Sequence, residues 1–170
     1  EKVKIKIFAG AEVSILADGK LDYADKDLKK LDFVIASIHS RFKMNKDEMT
    51  ERVLKALDNS YVRILGHPTG RLINVREPFD VDIEKIMNKT KDNNIALEVN
   101  ANPPRLDLKD TLIRMAVEKG CLLAINTDAH STSQLSFMEF GVAQARRGWA
   151  TSKSIVNAWS LKDFEKWIKR

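Results

Sequence analysis

The three histidines of this chain, His39, His67 and His130, each stand at the C-terminal end of a short apolar run. Glu12 and Glu98 close two more runs of the same kind, and Asp128 stands two residues before His130. Imidazoles and carboxylates are borderline and hard metal ligands. Gathered in one pocket, they would hold a divalent cation able to polarise a substrate oxygen and to ionise water near neutral pH. A single strand-end histidine is as readily a cap or a hydrogen-bonded core residue. Three of them, with carboxylates in register, argue for a shared site.

The spacing says what must position them. The polar ends at Glu12, His39, His67, Glu98 and Asp128 recur every 27 to 31 residues, an interval that suits one strand and one crossover helix. The runs from Ile5 to Glu12, Phe33 to His39, Val62 to His67, Ile95 to Glu98 and Cys121 to His130 have the length and β-branched content of buried strands. In parallel βα architectures the loops after the strands point side chains into one crevice, so five strand ends would offer Glu, His, His, Glu and Asp-x-His to it.

Helical patterns fill the gaps. A turn at Leu16–Lys20 uses Asp18-Gly19, and a short helix spans Asp25 to Leu31. Asn45 caps a helix through Asp47–Leu57, which carries acids in its first turn. Others are expected at about 82–91 and 108–119, the latter ending at the C-cap Gly120, then at 138–148, 152–157 and 161–168, with the ending Phe164–Arg170 reading as a natural last helix and Trp159, Phe164, Trp167 and Ile168 packing inward. Arg146-Arg147 reads as a basic helix end, with contact to a nucleic-acid backbone as the alternative, and Trp149 as packed.

At 170 residues and 44% hydrophobic content, one compact domain is expected. The apolar stretches are strand-sized, short of the roughly 20 residues that cross a bilayer, and the single cysteine, Cys121, opens a strand as a core residue. A soluble cytoplasmic protein with no membrane partner is the expectation. A net charge of +5 favours anionic partners, although no long basic block occurs. The chain opens in a strand without an initiating methionine, and five parallel strands are too few to close a barrel. Earlier βα units are therefore expected in the intact protein. An open edge at Lys4–Ala11 and an apolar inner face would favour strand-paired or swapped homodimers.

Six segments carry a resemblance: Gly10-Ala-Glu12, Ala36-Ser-Ile-His39-Ser, Gly66-His67-Pro-Thr-Gly-Arg71, Leu97-Glu-Val-Asn100, Asn126-Thr-Asp128-Ala-His130-Ser and Phe140-Gly-Val-Ala-Gln-Ala-Arg-Arg-Gly-Trp149. In order and over nearly the whole chain, they resemble the PHP (polymerase and histidinol phosphatase) domain. The likeness is strongest to the C-terminal PHP domain of bacterial and archaeal family X DNA polymerases. It implies an α/β fold, a partial distorted (βα)7 TIM-like barrel of which residues 1–170 are one fragment, with up to three zinc or manganese ions at the strand ends.

By that resemblance Glu12, His39 and His67 complete one metal site, Glu12 also bridges to a second with Asp128, and His130 serves a third. The family's opening His-x-His and further early ligands have no counterpart here, which leaves only the first site whole, with an open position suited to catalysis. Arg41 and Arg71, and less strongly Arg105, would hold phosphate oxygens. Glu98 and Asn100 would support ligands or touch substrate. The implied activity is metal-dependent phosphoester hydrolysis, as a 3′–5′ exonuclease or 3′-end processing enzyme on gapped or damaged DNA in repair. The rivals are a small-molecule phosphatase of the histidinol-phosphatase type, a dormant structural or DNA-binding module, and an amidohydrolase-type metallohydrolase, whose motif contexts fit least well.

Overall fold

The computed structural model describes residues 5–169. Five parallel strands form one sheet in sequence order: β1 (Gly10–Ser14), β2 (Phe33–Ser37), β3 (Val62–Leu65), β4 (Ala96–Asn100) and β5 (Leu122–Asn126). The helices between them are α1 (Asp25–Leu28), α2 (Lys46–Ala56), α3 (Ile83–Asp92) and α4 (Asp110–Lys119), followed by α5 (Met138–Arg147) and α6 (Leu161–Ile168). Sequential order leaves each strand end beside the next, so residues about 28 apart in sequence become neighbours in space. A TIM-like fold is compatible with this sheet.

Strand alternation divides the side chains between two layers. One face sends Val13, Val34, Ala36, Leu97, Val99 and Leu123 into the main core with Met49, Val53, Ile86, Met87 and Ile113 of the crossover helices. The inner face carries Ile64, Ala96 and Ala124, which pack with Trp167 and Ile168 of α6, flanked by Phe8, Phe33, Ile35 and Phe164. The apolar inner face expected to lie open is thus covered at the strand N-terminal end by the chain's own last helix. The Trp167 indole donates to the Asn94 carbonyl at 2.9 Å just before β4, and Arg63 Nε donates to the Ile168 carbonyl at 3.2 Å. What remains of that face, towards the strand C-termini, is polar.

Local signals account for most boundaries. Asn45 and Glu48 form a reciprocal capping box at α2, Asp82 and Ser160 cap α3 and α6, and Gly120 ends α4 in the left-handed region at φ 78°. The expected Leu16–Lys20 turn forms, with Gly19 at φ 81°.

Three expectations are corrected. The first strand begins at Gly10, because pairing with β2 starts there; Ile5 and Ile7 are exposed and only Phe8 turns inward, onto Phe164. Glu12 is therefore mid-strand, and Lys4 of the proposed edge lies outside the described residues. The stretch 152–157 forms no α-helix: 152–154 make a turn, Ile155 bridges to Leu123 of β5, and a 3-10 turn follows at Val156–Ala158. Another 3-10 segment, Thr132–Phe137, links His130 to α5. Trp149 is 65% exposed rather than packed, at φ 62°, with the Arg114 guanidinium stacked 3.3 Å over its ring. Arg170, the end of the expected last helix, also lies outside the described residues.

Candidate metal centre

Glu12 lies within β1, while His39 and His67 follow the ends of the next two strands, β2 and β3. The imidazole Nε2 atoms of His39 and His67 lie 3.2 and 3.0 Å from the same oxygen, Glu12 Oε1. The two rings meet at 61° with centroids 5.3 Å apart. One wall is closed and the other open: the His67 side chain is 3% exposed, against 41% for His39 and 37% for Glu12. The hydrogen bonds from His39, and then from His67, hold the Glu12 carboxyl well below the usual carboxylate range.

The backbone around His67 is specialised. Gly66 brings β3 against β2 so closely that a Cβ there would lie 2.2 Å from Ser37 Oγ and 2.9 Å from Ile35 Cγ2. His67 then turns into the left-handed region at φ 28°, where a side chain other than glycine persists only if its surroundings enforce it. Those surroundings are present. The His67 N–H donates to Glu98 Oε2 at 2.6 Å, the Gly70 N–H donates to the His67 carbonyl at 2.9 Å, and Thr69 donates its N–H and hydroxyl to buried Asp107 at 3.0 and 2.8 Å. On the other side, the Arg52 guanidinium of α2 donates to the Leu16 and Ser40 carbonyls at 2.8 and 3.0 Å and to that of Ile15, fastening the chain after β1 and β2.

The donor set fits a divalent cation. Its three ligand atoms all lie within 4.8 Å of one another, compact enough for one ion at bond lengths of about 2.0–2.2 Å. The Ser14 hydroxyl lies 2.9 Å from His39 Nδ1; with Nδ1–H donated there, Nε2 presents the lone pair a metal ligand needs. Lone pairs converging on a carboxylate oxygen repel unless a proton or a cation lies between them. His67 Nδ1 is buried and has no hydrogen-bond partner among the described residues.

The other expected residues surround this cluster without entering it. Asp128, at φ 52°, is half-buried and accepts from Asn100 Nδ2 at 3.2 Å and pairs with Arg105 Nε at 3.3 Å. His130 is 79% exposed, with Nδ1 2.8 Å from the Asp128 carbonyl and its N–H donating to Gln134 at 2.6 Å. Glu98 is buried, and burial pushes its carboxyl up from the ordinary range while bonds from Asn126, His67 and Asn100 oppose that rise. Arg41 is exposed on a left-handed turn at φ 53°. Arg71 gives its guanidinium to the carbonyls of Arg105, at 2.8 Å, and Leu106, so it braces the loop after β4.

No family model matches the chain. Over 165 residues it is 47% identical to the DNA polymerase/3′-5′ exonuclease PolX of Bacillus subtilis (strain 168), covering 97% of this chain and 29% of that protein. It is 28% identical over 183 residues to a probable phosphatase of Thermoanaerobacter sp. (strain X514), covering all of this chain and 72% of the relative. A probable phosphatase of Caldanaerobacter subterraneus is 30% identical over 141 residues, 76% of this chain and 53% of the relative. The similarity runs to an exonuclease and to phosphatases alike. Both are hydrolytic enzymes, consistent with a PHP-type domain. The chain spans less than a third of the PolX relative's length.

Two contributors escaped the sequence reading. Asn126 donates to Glu98 Oε1 at 2.8 Å; the signal was its place in β5, level with Asn100 of β4. Asp107, with no exposed surface, fixes Thr69 and accepts the Asn100 N–H at its carbonyl. It lies in no strand or helix, so nothing in the hydrophobic pattern points to it.

Proposed function

We propose that this chain is the metal-dependent phosphoesterase part of a family X-type DNA polymerase, acting on DNA 3′ ends as a 3′–5′ exonuclease or end-processing activity in repair. The observation that carries the reading is the convergence of two imidazole nitrogens on one Glu12 oxygen at the strand ends. The extent of similarity to the PolX exonuclease adds support. Glu12, His39 and His67 would hold zinc or manganese, and a bound ion would supply Lewis acidity and a water that ionises near neutral pH. Asp128 and His130, on the same rim, would serve further ions, up to three in the intact domain. Glu12 keeps the two rings aimed at one point, and Ser14 and Glu98 hold the orientation of His39 and of the His67 backbone.

Arg41 would reach phosphate oxygens from the rim, while Arg71 shapes the floor of the approach through the loop it braces. The small-molecule phosphatase reading is favoured by the probable phosphatase of Thermoanaerobacter sp., which matches the chain along its whole length. The test compares release of 3′-terminal nucleotides from a recessed duplex with hydrolysis of p-nitrophenyl phosphate, in Mn2+ or Zn2+, for the wild type and for His39→Ala and His67→Ala. Nucleotide release lost in both variants is the expected result. Hydrolysis of the phosphomonoester alone would favour the phosphatase, activity retained in His67→Ala would overturn the assignment, and a folded, metal-loaded but inert wild type would mark a dormant module.

A further inference from the structure

We propose that Glu98, which is not among the three clustered ligands, is a positioning residue that sets the affinity of the centre for its cation. It does so by holding the His67 backbone and by placing a buried negative charge behind the ligands. The inference rests on reading Glu12, His39 and His67 as a metal centre.

Glu98 is 4% exposed, and every partner of its two oxygens is an N–H donor: the His67 amide at 2.6 Å, Asn126 Nδ2 at 2.8 Å and Asn100 Nδ2 at 3.2 Å. That is the pattern an ionised carboxylate takes. It forms no ion pair with lysine or arginine among the described residues, and a buried carboxylate without a cationic partner is costly to keep.

A cation beside His67 resolves that cost. With two neutral imidazoles and the single charge of Glu12, a dication would leave the ligand set one positive charge in excess, which Glu98 balances from one residue away. The Glu98–amide bond also enforces the left-handed turn at His67, φ 28°, that aims the ring at Glu12. Asn126 fixes Glu98 from β5, and Asn100 links it to Asp128 at 3.2 Å. Two strands, β4 and β5, thus act on the ligand that follows β3 through a single carboxylate.

The experiment is a Zn2+ titration of the full chain against a chromophoric chelator, beside urea unfolding of the metal-free forms. Glu98→Gln keeps the shape and one acceptor oxygen but removes the charge. Its Zn2+ affinity should fall about 10- to 100-fold, the range seen when groups that orient metal ligands are lost, with the far-UV circular dichroism of the wild type. Thr69→Val, which loosens the same loop without changing charge, should cost markedly less affinity for a similar loss of metal-free stability. Equal affinity for wild type and Glu98→Gln, or an equal drop in Thr69→Val, would overturn the inference while leaving the metal centre intact. If Glu98→Gln fails to fold, Asn126→Ala decides: a several-fold affinity loss supports the inference and an unchanged affinity overturns it. A wild type that binds no Zn2+ would instead remove the metal centre itself and the inference with it.

Discussion

Replacing Trp167 by alanine tests whether α6 closes the inner face of the sheet. Trp167 is 3% exposed, its ring lies 5.5 Å from that of Phe164 and 6.3 Å from that of Trp159, and its indole N–H donates to the Asn94 carbonyl at 2.9 Å. Truncating a buried Trp costs roughly 3–5 kcal/mol, including the cavity it leaves. The lost hydrogen bond is worth about 1 kcal/mol by itself, but Asn94 is half-buried and water can reach its carbonyl, so the two do not simply add. A loss of about 4 kcal/mol is expected, a large share of the roughly 5–15 kcal/mol that holds a domain folded. Urea unfolding followed by circular dichroism would read it as a lower midpoint at an unchanged slope. Trp167→Phe, which keeps the ring stack and drops the N–H, should lose less than half as much. Because α6 lies at the opposite end of the strands from Glu12 and His67, the folded variant should bind Zn2+ as the wild type does. A loss under about 1.5 kcal/mol, where burial alone predicts twice that, would show that α6 does not seal the sheet.

Glu12→Gln should alter the acid limb of stability. In the metal-free chain the Glu12 carboxyl is held below its ordinary value of 4.5. Its contribution is therefore full above that pH and lost as pH falls below it towards the folded value. The gap between wild-type and Glu12→Gln melting temperatures, measured with chelator present, should narrow below pH 4.5, and parallel curves would refute the reasoning. Gly66→Ala forces a methyl to 2.2 Å from Ser37 Oγ; a loss of about 1–3 kcal/mol is expected from overpacking, together with weaker Zn2+ binding, since His67 is the next residue. Asn45→Ala removes one half of the α2 capping box, for an expected cost of about 1 kcal/mol in urea unfolding and no change in Zn2+ affinity.

Much of the frame was legible because its signals are local. The recurrence of polar ends, the Asn45 cap and the Gly120 stop each depend on residues within one turn or one strand, and helices and strands follow them to within a few residues. The gathering of Glu12, His39 and His67 was legible because sequential strand order turns a sequence interval into adjacency. What escaped depends on partners distant in sequence. Ile5 and Ile7 are as apolar as strand residues, yet the ladder with β2 begins at Gly10. The inward pattern of α6 was read, but the face it would cover was not. Trp149 looks like core by composition but is exposed, and its ring is met by the Arg114 guanidinium, 35 residues earlier. Asp128 and His130, read as serving further ions, lie beside the compact cluster, where Arg105 pairs with Asp128 and the Asp128 carbonyl lies 2.8 Å from His130 Nδ1.

The three clustered donors belong to β1 and to the ends of β2 and β3, within 56 consecutive residues of the chain. A ligand that binds only the folded form stabilises whatever must be intact to bind it. An ion there would clamp the first three strands and the helices packed between them, while β4 and β5 would feel it less directly, through Glu98 and the β3–β4 ladder. Amide hydrogen exchange should then divide the molecule: slower exchange on ion binding from β1 through β3, and little change along β5. The sheet that looks uniform in its ladder would behave as two cooperative units, with the boundary between them at β4.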